Sequence, residues 1–425
     1  MRRRLLETVR TTFRSLRVRN FRLFFVGQLI SQVGTWLTSI ALVLLVLHRT
    51  GSGIAIGALT AVQFGPVLLL GAWAGLIADR SNKRHLLLVT QSLEMAQSFA
   101  LAVLAFLPSA PLWTFYLTAL AGGVMLAFDN PARRSFVSEM VPKDEVQNAV
   151  SLNSALMTSS RIVGPALAGL LSISVGFGWC FTLDACSYLA VIASLWRMRP
   201  AELWPAQPTA RARGQVRDGL RYVRRTPDLW IPLVMMAVVG TLTFNFSVVI
   251  PLFVERTLGG TDATYTLLYS VLSVGSLLGA LAAAHRRRVE ISTIAFASLV
   301  FGVAMLLFAL TPRLAVAFPL ALLVGCSSVG FMTASTAMMQ LRSDPRMRGR
   351  VLALQAIVFL GSTPLGGPLL GYVCDVAGPR AGVALGGIAA VAAAGWGAWR
   401  ARRRALGVVV EGPEAASPIE EAGAA

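Results

Sequence analysis

Charge is scarce in this 425-residue chain, and acid is scarcer: 14% of residues are charged, and 20 Asp and Glu face 38 Lys and Arg. Only two lysines occur, Lys83 and Lys143, and neither follows a glycine. The chain therefore has no G-x-x-x-x-G-K-S/T loop to cradle a nucleotide phosphate, which excludes that loop as an internal energy source. His48, His85 and His285 are far apart, which argues against the grouped His and carboxylates of a polytopic membrane enzyme. Cys180, Cys186, Cys326 and Cys374 lack metal-ligand spacing and fall in apolar stretches, where cysteine serves as a small core residue. No polar segment is long enough for a soluble sensing domain. Neither a metal nor a cofactor is expected.

Apolar length is what the chain has instead. Some 55% of its residues are hydrophobic, in runs at 21–47, 54–78, 86–107, 111–129, 148–172, 177–196, 229–254, 264–285, 291–311, 315–340, 350–374 and 379–400. Each is long enough to cross roughly 30 Å of hydrocarbon. In lipid each must be a helix, because a lone strand leaves its backbone groups unpaired. The expectation is an all-α membrane protein with twelve transmembrane helices. Its first run is too long for a signal peptide and is read as retained.

The net charge of +18 would suggest a nucleic acid partner in a soluble protein, but its placement does not. Of the 38 Lys and Arg, 33 fall in the N-terminal segment and in alternate loops on one side. The other side holds Arg49, Arg256, Arg313 and Arg380, and Arg161 lies inside a run. This bias predicts both termini in the cytoplasm, with the basic loops held at anionic lipid and no nucleic acid involved.

The chain divides into a basic amphipathic segment 1–20, six segments over 21–196, a cytoplasmic linker 197–228, six more segments over 229–400, and a tail 401–425 predicted to be disordered. A weak repeat relates the halves. Gly75 and its basic loop match Gly279 and His285 to Arg288, with Ala283 where Asp79 stands; Gly164-Pro165 match Gly367-Pro368. Two six-helix halves of like orientation follow, related by an axis along the membrane normal. In segment 5, Gly164, Pro165 and Gly169 form a small-residue face expected to pack within the bundle rather than to dimerise. Asp129 to Arg134 read as the end of segment 4.

Between segments 2 and 3 lies Gly75-Leu-Ile-Ala-Asp79-Arg80-Ser-Asn-Lys83-Arg84. It resembles the signature loop of the major facilitator superfamily, G-x-x-x-D-R-x-x-R/K-R/K, and the likeness extends over 20–400. Asn20 to Phe24 with Gly27-Gln28, Phe128 to Arg133, Arg161 to Pro165, and Arg348 to Val351 further resemble its enterobactin-exporter-like and drug-efflux branch. The resemblance implies a transporter of the bacterial inner membrane, monomeric and not an enzyme. It implies alternating access, with Gly75, Asp79, Arg80, Lys83, Arg84 and Asp129 in a latch that ties helix 2 to helix 11. The Gly-Pro-rich segment 5 is associated, in the superfamily, with proton-exchanging exporters.

Coupling to a proton gradient needs an ionisable group at membrane depth, where such groups are costly enough to suggest function. Glu94, Asp184 and Arg161 are the candidates; Asp375, at the outer end of segment 11, is easily solvated and set aside. The cavity that the family implies would draw on Gln28, Gln32 and Trp36, on Phe244, Asn245 and Phe246, and on Ser328 and Thr333. That mixture of amides, hydroxyls and aromatics suits a small amphipathic substrate such as a drug, siderophore or secondary metabolite. Metabolite uptake or lipid movement by the same fold is the alternative.

Overall fold

A computed structural model describes residues 12–204, 215–283, 289–344 and 347–410. The first half contains α1 (Arg19–Thr50), α2 (Gly53–Arg80), α3 (Lys83–Phe106), α4 (Leu112–Glu139), α5 (Val146–Ser174) and α6 (Phe177–Arg197). A linker helix α7 (Gln215–Arg225) follows. The second half begins with a broken span, α8 (Pro227–Thr243) and α9 (Phe246–Leu252), extended by a π turn at Phe253–Thr257. It continues with α10 (Asp262–Ala283), α11 (Ile291–Ala309), α12 (Leu314–Arg342), α13 (Arg348–Ala377) and α14 (Pro379–Val410). Among the described residues there is no strand, and twelve helical spans are long and apolar enough to cross a membrane.

Local chemistry sets the boundaries. Gly51 ends α1 in the left-handed conformation, with its N–H on the Leu47 carbonyl, a stop that glycine permits without strain. Ser52 and Asn82 cap α2 and α3 by accepting from the Ala55 and His85 amides. Backbone conformation repeats between the halves. Gly51 and Gly259, both at positive φ, follow the first span of each half, and Gly176 and Gly378, also positive, precede the last.

Lipid is as apolar as leucine, so helices associate through close packing rather than hydrophobic exclusion. Between the halves, α2 crosses α13 on two glycine pairs of four-residue spacing, Gly53/Gly57 and Gly367/Gly371. A Cβ on Gly57 would lie 2.5 Å from the Gly367 carbonyl oxygen, so only glycine fits. Gly164 receives the Cβ of Trp36 in α1, and Gly169 meets Thr266 of α10.

The sequence predicts disorder from 401, yet the last helix runs on to Val410; elsewhere the structure departs from the sequence reading in three places. First, α4 does not end near Asp129 to Arg134 but runs through Pro131 to Glu139. Asp129 and Arg133 pair one turn apart on one face, and Phe136 meets Phe24 edge-on at 5.9 Å, so packing carries the helix past the proline. Second, the seventh span breaks at Phe244 and Asn245; Asn245 donates to the Thr241 carbonyl at 2.9 Å while Phe244 sits among Phe246, Phe301 and Phe359. Third, Arg14–Arg17 is a 3-10 turn docked on the segment before α5, not a helix lying on lipid. Ser15 donates to Glu145 and Asn148, and Arg14 pairs with Glu145 at 3.2 Å. Residues 1–11 of the predicted amphipathic segment, the middle of the linker, the basic loop 285–288 and the tail beyond 410 lie outside the described residues. The described end of the linker, α7, buries Val223 against Leu229, Leu233, Met339 and Val351.

Candidate functional site

One face of α3 carries Thr90, Gln91, Glu94 and Ser98, all buried, at the spacing that lines side chains along one helix edge. The Gln91 amide nitrogen donates to both Glu94, at 2.9 Å, and Asp129 of α4, at 2.8 Å. Thr90 donates to Asp129 at 3.2 Å, and Arg133 pairs with Asp129 and reaches Gln28 of α1 at 3.4 Å. One turn further along α3, Ser98 donates to Asp184 of α6 at 2.7 Å. Tyr188 of α6 and Thr35 of α1 share a hydrogen bond of 3.3 Å beside them. Asp129 is 0% exposed, Asp184 1%, Arg133 6% and Glu94 8%.

Three carboxyl groups and one guanidinium thus lie in a single buried row shared by α1, α3, α4 and α6. At 1.5 Å per residue, Glu94 is about 16 Å into α3 and Asp129 about 15 Å from the end of α4, the same depth. Sequence reading named Glu94, Asp184 and Asp129 separately; the structure joins Glu94 to Asp129 and adds Gln91, Arg133 and Ser98. The signal for Arg133 was its four-residue spacing from Asp129.

The loop residues separate. Lys83 forms a buried ion pair with Glu139 at 2.7 Å, and Arg84 donates to the Leu195 and Trp196 carbonyls at the end of α6. Asn20 and Arg199 exchange two hydrogen bonds of 3.0 Å, closing the same edge of the first half. Lys83 and Arg84 therefore tie loops within the first half. Gly75 and Asp79 are half-buried and Arg80 is exposed. Asp129 is held by Arg133, Thr90 and Gln91.

At the opposite face Asp375, set aside from sequence, joins the halves. It accepts from the Ser52 hydroxyl and the Gly53 and Ile54 amides at 2.8 to 2.9 Å, capping the N-terminus of α2 from α13. Arg256 pairs with Asp375 at 3.0 Å and also donates to the Gly51 carbonyl. His48 and Asp262 meet across the halves at 3.0 Å. The Gly51-Ser52-Gly53 helix start was the readable half of this contact; which acid it received was not.

The expected cavity residues fall into two kinds. Gln28, Gln32, Asn245, Phe246 and Ser328 are buried, Ser328 donating to the Gly325 carbonyl of its own helix. Trp36, Phe244 and Thr333 are half-buried. Arg161, halfway along α5, holds its guanidinium carbon 5.4 Å from the centre of the Trp36 ring. No group of three or more His, Cys, Asp or Glu that could hold a metal occurs among the described residues.

Known proteins share this sequence and architecture. The family model described as transmembrane secretion effector matches residues 10–404. A staphyloferrin A transporter of Staphylococcus aureus is 23% identical over 360 residues, 84% of this chain and 89% of that one. The multidrug efflux pump Tap of Mycolicibacterium fortuitum is 28% identical over 378 residues, 84% and 90% of the two chains. Among solved structures, an inward-facing, unoccupied bacterial homologue of the human lysosomal transporter Spinster superimposes with a TM-score of 0.70 at 16% identity. That likeness covers 90% of this chain and 95% of the other.

Proposed function

The chain belongs to the transmembrane secretion effector family of the major facilitator superfamily, a multi-pass transporter of the bacterial inner membrane, and from there we propose that it exports a small amphipathic molecule in exchange for protons by alternating access. The observation that carries the coupling is the continuous row Arg133–Asp129–Gln91–Glu94, sealed from solvent at membrane depth. Three carboxyl groups against one guanidinium form a place where charge and proton number must change together. Glu94, which accepts from the neutral Gln91 amide and has no cation bonded directly to it among the described residues, is the proton carrier in this reading; Asp129 and Arg133 fix its surroundings, and Asp184 is the second station. The S. aureus relative is named for a siderophore and the M. fortuitum relative for multidrug efflux, which supports a small, drug-like or siderophore-like substrate.

Two latches divide the cycle. Asp375, Arg256 and the start of α2 hold the opposite face closed. The Gly75 to Arg84 loop, with Asp79 and Arg80, holds the basic face closed in the alternate state, which biases a two-state equilibrium from either side. The basic face is cytoplasmic, lies on anionic lipid, and the protein works as a monomer.

The test is substrate-driven proton movement in proteoliposomes carrying a pH dye, with a panel of macrolides, siderophores and lipophilic dyes. Wild type releases protons as substrate moves. Glu94→Gln abolishes proton release while labelled substrate still exchanges. Substrate equilibration without proton movement in wild type overturns antiport and leaves a facilitator.

A further inference from the structure

Arg133 and Arg161 are the two cations carried deep in the first half, and only one of them is matched. Arg133 has Asp129. Arg161 stands about 22 Å along α5, and among the described residues none forms a hydrogen bond or an ion pair with it. Its Nε is buried without an acceptor. The carboxylates of this half are engaged elsewhere: Glu94 with Gln91, Asp129 with Arg133, Asp184 with Ser98. A guanidinium at mid-membrane carries a permanent charge, since arginine does not lose its proton in proteins, and its five donors call for an anion.

The surroundings are aromatic and come from both halves. The guanidinium lies over the Trp36 ring. That ring stands 6.4 Å, centre to centre, from Tyr269 of α10, and Tyr269 meets Tyr265 at 6.1 Å. The Tyr265 hydroxyl is likewise buried without a partner. Gly164, one turn beyond Arg161, leaves the space that Trp36 fills, so the indole is held against the cation by backbone shape. A flat apolar body stacked on the half-buried Trp36, which the buried Tyr269 backs, with an acidic group on the guanidinium fork, satisfies both features.

We infer that Arg161, Trp36 and Tyr269 form an anion-selecting substrate site between the halves, and that the exported molecule is an amphipathic organic anion, a carboxylate or sulfonate on an aromatic or apolar body. The inference rests on the transport reading above and adds the sign of the substrate's charge. A site built from both halves is complete only while the halves are together there, so occupancy and conformation are linked.

The experiment uses the full chain in lipid nanodiscs and two probes with one aromatic skeleton: 1-anilinonaphthalene-8-sulfonate, and neutral N-phenyl-1-naphthylamine. Binding is measured by equilibrium dialysis with empty nanodiscs subtracted. Wild type binds the sulfonate saturably. Arg161→Gln weakens the sulfonate by at least about tenfold and the neutral probe by less than about twofold, because only the charge-assisted bonds are lost. Arg161→Lys, which keeps the charge and the fold's tolerance of a long cation, recovers part of the loss. Absence of saturable sulfonate binding to wild type overturns the inference, and so does an equal loss of both probes in Arg161→Gln with Arg161→Lys no better. Transport distinguishes the two readings. Export of neutral or cationic dyes that ignores Arg161→Gln leaves an exporter without this site, whereas tight sulfonate binding with no transported solute leaves the site without the exporter.

Discussion

Asp375→Asn isolates the latch at the opposite face, because it keeps the side chain's shape and removes its charge. The carboxylate accepts four hydrogen bonds, from Ser52, the Gly53 and Ile54 amides and Arg256, at 2.8 to 3.0 Å. An amide keeps one acceptor oxygen and turns an NH2 toward the other donors. The lost charge faced a helix N-terminus, a contact of about 0.3–1 kcal/mol. Arg256 also faces it, but Arg256 lies in the same half as Asp375 and its side chain is 32% exposed, so that screened pair persists in either state and adds nothing to the bias. Adding one neutral hydrogen bond of about 1 kcal/mol and discounting overlap leaves about 1.4 kcal/mol, or roughly tenfold in the equilibrium. Only the closed face feels this loss, since Ser52, Gly53 and Ile54 sit on the other half from Asp375. A face open in about 3% of molecules would be open in about a quarter of them. Spin labels at Ser174→Cys and Thr261→Cys, both exposed and on different halves, read the separation by double electron–electron resonance once the four native cysteines are replaced. The expected result is a growing long-distance population. An unchanged distance distribution in Asp375→Asn refutes the reasoning.

Two further outcomes follow from packing and burial. Gly57→Ala places a methyl 2.5 Å from the Gly367 oxygen and must push α2 from α13, so the same labels report opening and transport falls; Gly71→Ala, with open space around it, changes neither. Lys83→Met removes the cation paired with Glu139 in a site where the pair's side chains are 9% and 7% exposed, a loss of at most about 3–5 kcal/mol. Lys83→Met combined with Glu139→Leu recovers most of that loss in thermal unfolding in detergent, and a double variant as unstable as the single one contradicts the pairing.

Much of the fold was legible because lipid simplifies the problem. A run such as 291–311 is apolar on every side and can only be a spanning helix, and the observed Ile291–Ala309 differs at one end by two residues. The end of the fourth span was misread for a physical reason. Asp129, Pro131, Arg133 and Arg134 look like a loop to hydropathy, yet Asp129 and Arg133 neutralise each other inside the bundle and stay helical. The glycine pairs at 53/57 and 367/371 were open to reading, since four-residue spacing is a known packing signal, but their mutual contact was not.

Composition, run length and charge bias alone determine that the chain spans a membrane twelve times in two related halves, because each depends on one helix and its solvent. The tertiary structure decided which ionisable groups lie together. Glu94 and Asp129 are 35 positions apart on different helices, and a single glutamine joins them. Asp375 reads as a solvated helix end until α2 meets it, and Arg161, a coupling candidate by sequence, is left without an acidic partner among the described residues once Glu94, Asp129 and Asp184 prove engaged elsewhere. Pairing of side chains across helices depends on depth and rotation in the bundle, and neither is written in any one segment.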